Sequence, residues 1–179
     1  SKIAAIGETI DIRGCRVSRS WLEASRKGVR ANHMVQLDLR WALIEDRANF
    51  GQLTFGNETS FEGASFGKWV SFRGAKFGNE AHFEDATFGR RADFWGATFG
   101  DEVHLEDATF GKRADFRGVK FGHGATFDDA KFEDDVSFYD AEFKDEATFF
   151  GTIFKDKADF RYSTFGKRAL FGLAEFGRN

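Results

Sequence analysis

"ADFWGATFGDEVHLEDATFGKR", residues 92–113, places Phe94, Phe99, Leu105 and Phe110 at intervals of five, six and five. Two residues before each of these centres stands Ala92, Ala97, Val103 or Ala108. Small-x-large alternation has the period of a strand, and it lasts only three residues before Gly or Asp interrupts it. An amphipathic helix would need apolar residues three to four apart, a spacing this stretch does not have. Each unit therefore reads as a short strand followed by a corner.

The same count extends in both directions. From Leu37 to Asn179 the chain divides into thirteen blocks of eleven, each a five-residue unit followed by a six-residue unit. Of the 26 centres 23 are Phe, the others being Leu39, Ile44 and Leu105, and Ala fills the small position in 17 units. That repetition explains the 24 Phe, the 20 Gly and the absence of Pro in 179 residues. Short strands that turn the same way at every corner make a solenoid, with the centres buried in columns.

The variable positions set the length of one turn. Taking every second extra residue of the six-residue units gives Glu58, Glu80, Glu102 and Glu146 in one series and Arg47, Arg91, Arg113 and Lys157 in the other, with Trp69, Gly124, Asp135 and Arg168 as the exceptions. The residue after the centre of the five-residue units follows the same rule. Arg73, Trp95, Arg117, Tyr139 and Arg161 alternate with Glu62, Glu84, Glu106 and Asp128. The true period is therefore two blocks, or four units per turn, an all-β coil with four sides. Its turns, at roughly 4.8 Å per layer, predict a rod about 30 Å long.

Phe-centred units such as ADFRG, ATFGK and AKFED resemble the pentapeptide-repeat family, over about four fifths of the chain. The resemblance implies a right-handed quadrilateral β-helix. The departure is systematic, since the simplest members keep five residues per side and every second side here has six. Two loosened corners, diagonally opposite, are implied. Gly directly follows the centre in many six-residue units, as at Gly78 and Gly111. In five-residue units Gly or Asp comes one place later, as at Gly74 and Asp85. Two corner geometries follow, with a left-handed or tightly turned residue placed differently in each.

Residues 1–36 are expected to cap the solenoid of 37–179. IDIRG and CRVSR already form two units, centred on Ile12 and Val17. A helix is expected over about 20–27, with Ser20 as N-cap, Glu23 completing a capping box and Gly28 as the stop. Trp21 and Leu22 would cover the first coil. The repeats run to the last residue, so either a longer chain continues or the final coil pairs end to end with a second copy.

No phosphate-binding loop, dinucleotide fingerprint, zinc spacing or nucleophile motif is present, so no catalytic, cofactor-binding or metal residue is assigned and no enzyme is expected. His82 and His104 stand one full period apart, stacked on one outer face near Glu80, Glu84, Glu102 and Glu106. A surface metal site and a coincidentally repeated outward position compete there, and the second is the reading taken. His33 and His123 have no evident partners. Cys15, the single cysteine, occupies a small inward position and is expected to be buried and inert; one cysteine fits a reducing, cytoplasmic setting. No apolar run approaches a membrane span.

Charge is sorted. One edge carries Lys68, Trp69, Arg73, Arg90, Arg91, Trp95, Lys112, Arg113, Arg117, Tyr139 and Arg161. The opposite edge carries Glu58, Glu80, Glu84, Asp85, Asp101, Glu102, Glu106, Asp107, Asp128, Asp129 and Glu146. A ladder of self-solvating charges, with Arg stacked on Trp or Tyr, explains the pattern without a ligand. The functional reading is a binding surface for an anionic or protein partner. Asp93, Asp115 and Asp159 interrupt the basic edge, which argues against a nucleic-acid backbone.

A non-catalytic scaffold or protein-interaction module is the leading expectation. The family resemblance implies an alternative, a mimic of duplex DNA that binds and protects the type II topoisomerase gyrase. The formal charge of 37–179, −7 from 19 basic and 26 acidic residues, is modest for that role. A third expectation is an adaptor domain of a secreted bacterial effector. Ice binding fails because the column Thr54, Lys76, Thr98, Lys120, Glu142 is broken by charge.

Overall fold

Repetition of a two-residue strand and a corner produces a β-solenoid of stacked parallel coils. The structure, a computed structural model, describes residues 9–18 and 34–177. All 23 regular elements among these residues are strands, most of them two residues long. No helix among them is long and apolar enough to cross a membrane.

The coil has four sides. Side one stacks Ala48–Asn49, Trp69–Ser71, Arg91–Asp93, Ala114–Asp115, Val136–Ser137 and Ala158–Asp159 into one parallel sheet. Side four stacks eight strands, from Arg16–Val17 to Glu175–Phe176. On sides two and three the middle coils join by single bridges, through Thr54, Lys76, Thr98 and Lys120 and through Asp38, Ser60, His82, His104 and Thr126. The register is the two-block period: Phe66 pairs with Phe88, Phe88 with Phe110, and Phe110 with Phe132. Residues 92–113 are thus one complete turn.

The two corners differ as the counting predicts. In five-residue units the third amide beyond the centre donates back to the centre's carbonyl and closes a tight turn, as Ala75 N does to Phe72 O at 2.9 Å. The third residue of that turn is left-handed, Gly74 at φ 63° and Asp85 at φ 57°, which is the type II requirement. Asp and Gly tolerate this region best, so their placement follows from the backbone. The sixth residue of the longer units does not take one form throughout. It is left-handed at Arg47, Glu58, Glu80, Glu102 and Arg113. At Trp69, Arg91, Glu146 and Arg168 it instead begins the next strand.

The Gly that follows the centre in six-residue units has another cause. Gly111 does not have positive φ; a Cβ there would lie 2.1 Å from the carbonyl oxygen of Gly89 in the coil below. Close approach of coils, not a left-handed backbone, excludes a Cβ at Gly111, whereas Glu45, Glu133, Lys144 and Lys155 hold the same position in other coils.

Inside, each Phe column is a ring ladder. Phe94 stacks on Phe116 at 4.8 Å and Phe88 on Phe110 at 4.6 Å, with planes 4° and 2° apart. Neighbouring columns meet edge to face, as Phe110 meets Phe116 at 5.4 Å and 76°. Ala at the small position, such as Ala92 and Ala114, is buried beside the rings. Each buried Phe contributes about 1.5–3 kcal/mol, and the coil-to-coil amide bonds satisfy the buried backbone.

The first coil departs from the rule. Arg16 and Val17 pair with Leu43 and Ile44, 27 positions on, so this turn holds five residues more than the others. Strand Met34–Asp38 pairs with Thr9–Asp11 along one half and with Thr54–Phe55 along the other, so it runs past a corner without turning. The helix expected over 20–27, with Trp21 and Leu22, lies outside the described residues, as does His33. Cys15 corrects the expectation of a buried thiol: it is exposed. It sits on the first coil, where its backbone bonds to the next coil through Leu43 N but no described coil covers its other side. In the last coil Leu173 and Phe176 are 75% and 56% exposed.

Candidate interaction edges

The fourth corner, between sides four and one, ends the six-residue unit of side four, and in two adjacent coils it carries two long cationic side chains. Stacking in register sets Lys68 and Trp69, Arg90 and Arg91, and Lys112 and Arg113 one above another. The strand pairing of Arg91 with Trp69 fixes this alignment. Two adjoining hollows open on this corner. One, of about 570 Å³, is lined by Arg91, Arg113, Arg117, Tyr139, Lys157 and Arg161, with Asp115, Asp135 and Asp159 among them. The other, of about 420 Å³, lies between Arg90, Arg91, Lys112, Arg113, Asp134 and Asp135.

Not all the expected cations are available. Arg117 grips Asp115 of its own strand with two hydrogen bonds, Nε to Oδ1 at 2.8 Å and Nη2 to Oδ2 at 2.6 Å. Arg161 grips Asp159 in the same way, both bonds at 2.8 Å. The hydrogen bond from Arg161 lowers the Asp159 carboxyl from 3.8 to about 2, against the opposing effect of burial. Arg73 Cζ lies over Trp95, 3.4 Å from the ring centroid, and Arg161 Cζ is 5.8 Å from that of Tyr139. The side-one half of the basic edge is therefore a self-paired ladder, as the interrupting aspartates imply.

The corner half is different. Among the described residues Arg90, Arg91 and Arg113 have no ion-pair partner, and Lys112 reaches only Asp134 Oδ2 at 3.9 Å. All four are exposed. Sequence reasoning did not include Lys157, Asp134, Asp135 or Tyr162 in this neighbourhood. The Tyr162 ring packs edge-on against Tyr139 at 5.1 Å. The Asp-x-Arg triplet, present also as Asp11–Arg13 and Asp38–Arg40, was the readable signal for the neutralised arginines.

The acidic edge divides similarly. Asp101 belongs to a corner ladder in which a side chain accepts the amide of the next coil: Asn57 from Asn79, Asn79 from Asp101, and Asp101 from His123. His123 then meets Asp145 Oδ2 at 3.1 Å, a partner the sequence did not disclose. Asp128 accepts from Thr148 Oγ1 and from Phe150 N, and Glu146 pairs with Arg168. Glu58, Glu80, Glu102, Asp85, Asp107 and Asp129 remain exposed, and none has an ion-pair partner among the described residues. Glu84 and Glu106 each meet a histidine, His82 Nδ1 at 2.8 Å and His104 Nδ1 at 3.1 Å.

A family model described as "Pentapeptide repeats (9 copies)" matches residues 72–120, 94–142 and 116–164. No curated protein and no solved structure matches the chain.

Proposed function

Since the chain belongs to the pentapeptide-repeat family, we propose that it works as a non-catalytic scaffold whose cationic corner docks an acidic protein surface. The observation that carries this reading is the set Arg90, Arg91, Lys112 and Arg113. Four exposed cations from two adjacent coils face open hollows, and one carboxylate contact at 3.9 Å is their only ion pairing among the described residues. Arg13, Arg40, Arg117 and Arg161 are instead neutralised by carboxylates two residues before them, and Arg73 lies over Trp95, so self-solvation accounts for those arginines and not for this corner. A stack of coils holds these groups at fixed spacing without ordering cost on binding, which favours affinity. Arg is also a frequent anchor in protein interfaces.

The test is a pull-down with wild-type chain and with Arg90, Arg91, Lys112 and Arg113 changed to Gln. Wild type should retain a discrete protein that the variant loses. Equal retention by both removes the corner from the reading.

A second reading rests on the opposite edge. Glu58, Glu80 and Glu102 recur at one corner of successive coils, each left-handed, exposed and without an ion pair among the described residues. Asp85, Asp107 and Asp129 repeat the spacing on side three. Such a row supports docking on a basic DNA-binding surface, as in the gyrase-protecting members the resemblance brings in. Gyrase supercoiling with and without a quinolone, using wild type and Glu80, Glu102 and Asp107 changed to Lys, tests it. No effect of wild type ends this alternative.

A further inference from the structure

On side three the position after the centre reads Arg40, Glu62, Glu84, Glu106, Asp128 in consecutive coils. Four carboxylates are thus stacked at one-coil spacing, where like charges directly opposite one another are destabilising. On side one the equivalent position alternates Arg with Trp or Tyr, so like charges there stand two coils apart. The ends of the acidic column are compensated. Glu62 is drawn to Arg40, whose pKa it helps to raise, although the Asp38 hydrogen bond is the larger cause. Asp128 takes its two hydrogen bonds from Thr148 and Phe150. The middle pair, Glu84 and Glu106, has only histidines.

Those histidines stand on the neighbouring outward position, bridged to each other along the rod. Their rings lie face to face, 5.0 Å between centroids and 6° between planes. Each Nδ1 faces the near oxygen of its glutamate, and the far oxygens, Glu84 Oε2 and Glu106 Oε2, are shielded from solvent with no hydrogen-bond partner. A buried carboxylate oxygen without a partner is costly and calls for a cation or a water.

We infer that Glu84, His104 and Glu106 form a binding site for one first-row divalent cation of the zinc class, with His82 beside it. One donor atom from each of the three residues lies within 4.8 Å of the others. Zinc bonds imidazole nitrogen and carboxylate oxygen at about 2.0–2.2 Å, so tetrahedral donors stand roughly 3.3 Å apart. The 3.1 Å between His104 Nδ1 and Glu106 Oε1 is already near that spacing, and the ion would take the place of the proton between them. Imidazole plus carboxylate favours zinc, copper or nickel over calcium or magnesium. A hollow of about 650 Å³ bordered by Arg40, Glu62, His82 and Glu84 adjoins one member of the cluster, Glu84. The cation would neutralise the stacked carboxylates and tie two coils together.

Titration calorimetry of the full chain with zinc chloride, after chelation and desalting, tests the site. The expected result is one zinc ion per chain. Affinity should fall at least tenfold in His104→Ala and in the double variant Glu84→Gln, Glu106→Gln, and should be unchanged in His123→Ala. Absence of zinc binding by wild type overturns the inference, and so does stoichiometric binding that survives these changes or depends on His123. If a variant fails to fold, modification of wild type with diethyl pyrocarbonate, read by mass spectrometry, still decides. Zinc should protect His104 and leave His123 reactive; equal modification of His104 with and without zinc overturns the site.

Discussion

Phe94 and Phe116 are one full turn apart in sequence and stack ring on ring, 4.8 Å between centroids and 4° between planes. The ladder continues to Phe138 at 4.9 Å and Phe160 at 4.8 Å. Phe116 is fully buried and also meets the rings of Phe110 and Phe127 edge to face. Phe116→Ala removes stacking on both sides and leaves a cavity that rigid coils cannot close. Urea unfolding should show a loss of about 3–5 kcal/mol. Phe176→Ala, at a ring 56% exposed, should cost less than about 1.5 kcal/mol.

Two glycines separate the two corner rules. At Gly96, with φ 63°, an added Cβ meets nothing within 4 Å, so Gly96→Ala carries only the left-handed penalty of about 1–2 kcal/mol. At Gly111 the Cβ would fall 2.1 Å from a backbone oxygen, and the coils must separate to admit it. Thermal unfolding should show Gly111→Ala as clearly the more damaging of the two. Equal effects would refute the close-approach account of the six-residue corner.

The Asp159–Arg161 pair predicts a pH signature. The folded carboxyl is lowered from 3.8 to about 2, chiefly by the hydrogen bond from Arg161. A depressed carboxyl stabilises the fold above its unfolded pKa and loses that contribution as pH falls through the folded value. The difference in melting temperature between wild type and Asp159→Asn should be constant from about pH 5 to 7, shrink from about pH 4, and vanish only below about pH 2. A gap that widens on acidification would contradict the pairing.

The fold was legible because its cause repeats. Every centre and small position answers to one strand geometry and the corners to a small set of turns, so thirteen copies average out local noise. Where the geometry stops repeating, the sequence was less informative. Cys15 sits at an inward position by pattern, yet it is exposed, with no described coil on its other side. The longer first turn shows an insertion whose form a repeat pattern does not specify.

The edges were legible as columns and not as chemistry. Adjacent columns of one edge hold Arg117 and Arg113, but pairing depends on rotamers: Arg117 folds back on Asp115 while Arg113 has no acid two residues before it. The same limit hid the Glu84, His104 and Glu106 cluster. Spacing put His82 over His104, and only side-chain geometry shows two shielded carboxylate oxygens behind them.

The central claim is that each residue's structural neighbour is the one two blocks away in sequence, so the rod is a stack of interchangeable turns. Deleting residues 92–113 tests it most directly, because it joins Arg91 to Ala114 and restores every column. The shortened chain should unfold in one cooperative transition, and small-angle scattering should show a rod shorter by one coil, about 5 Å. A chain that fails to fold, or one whose length is unchanged, would contradict the account.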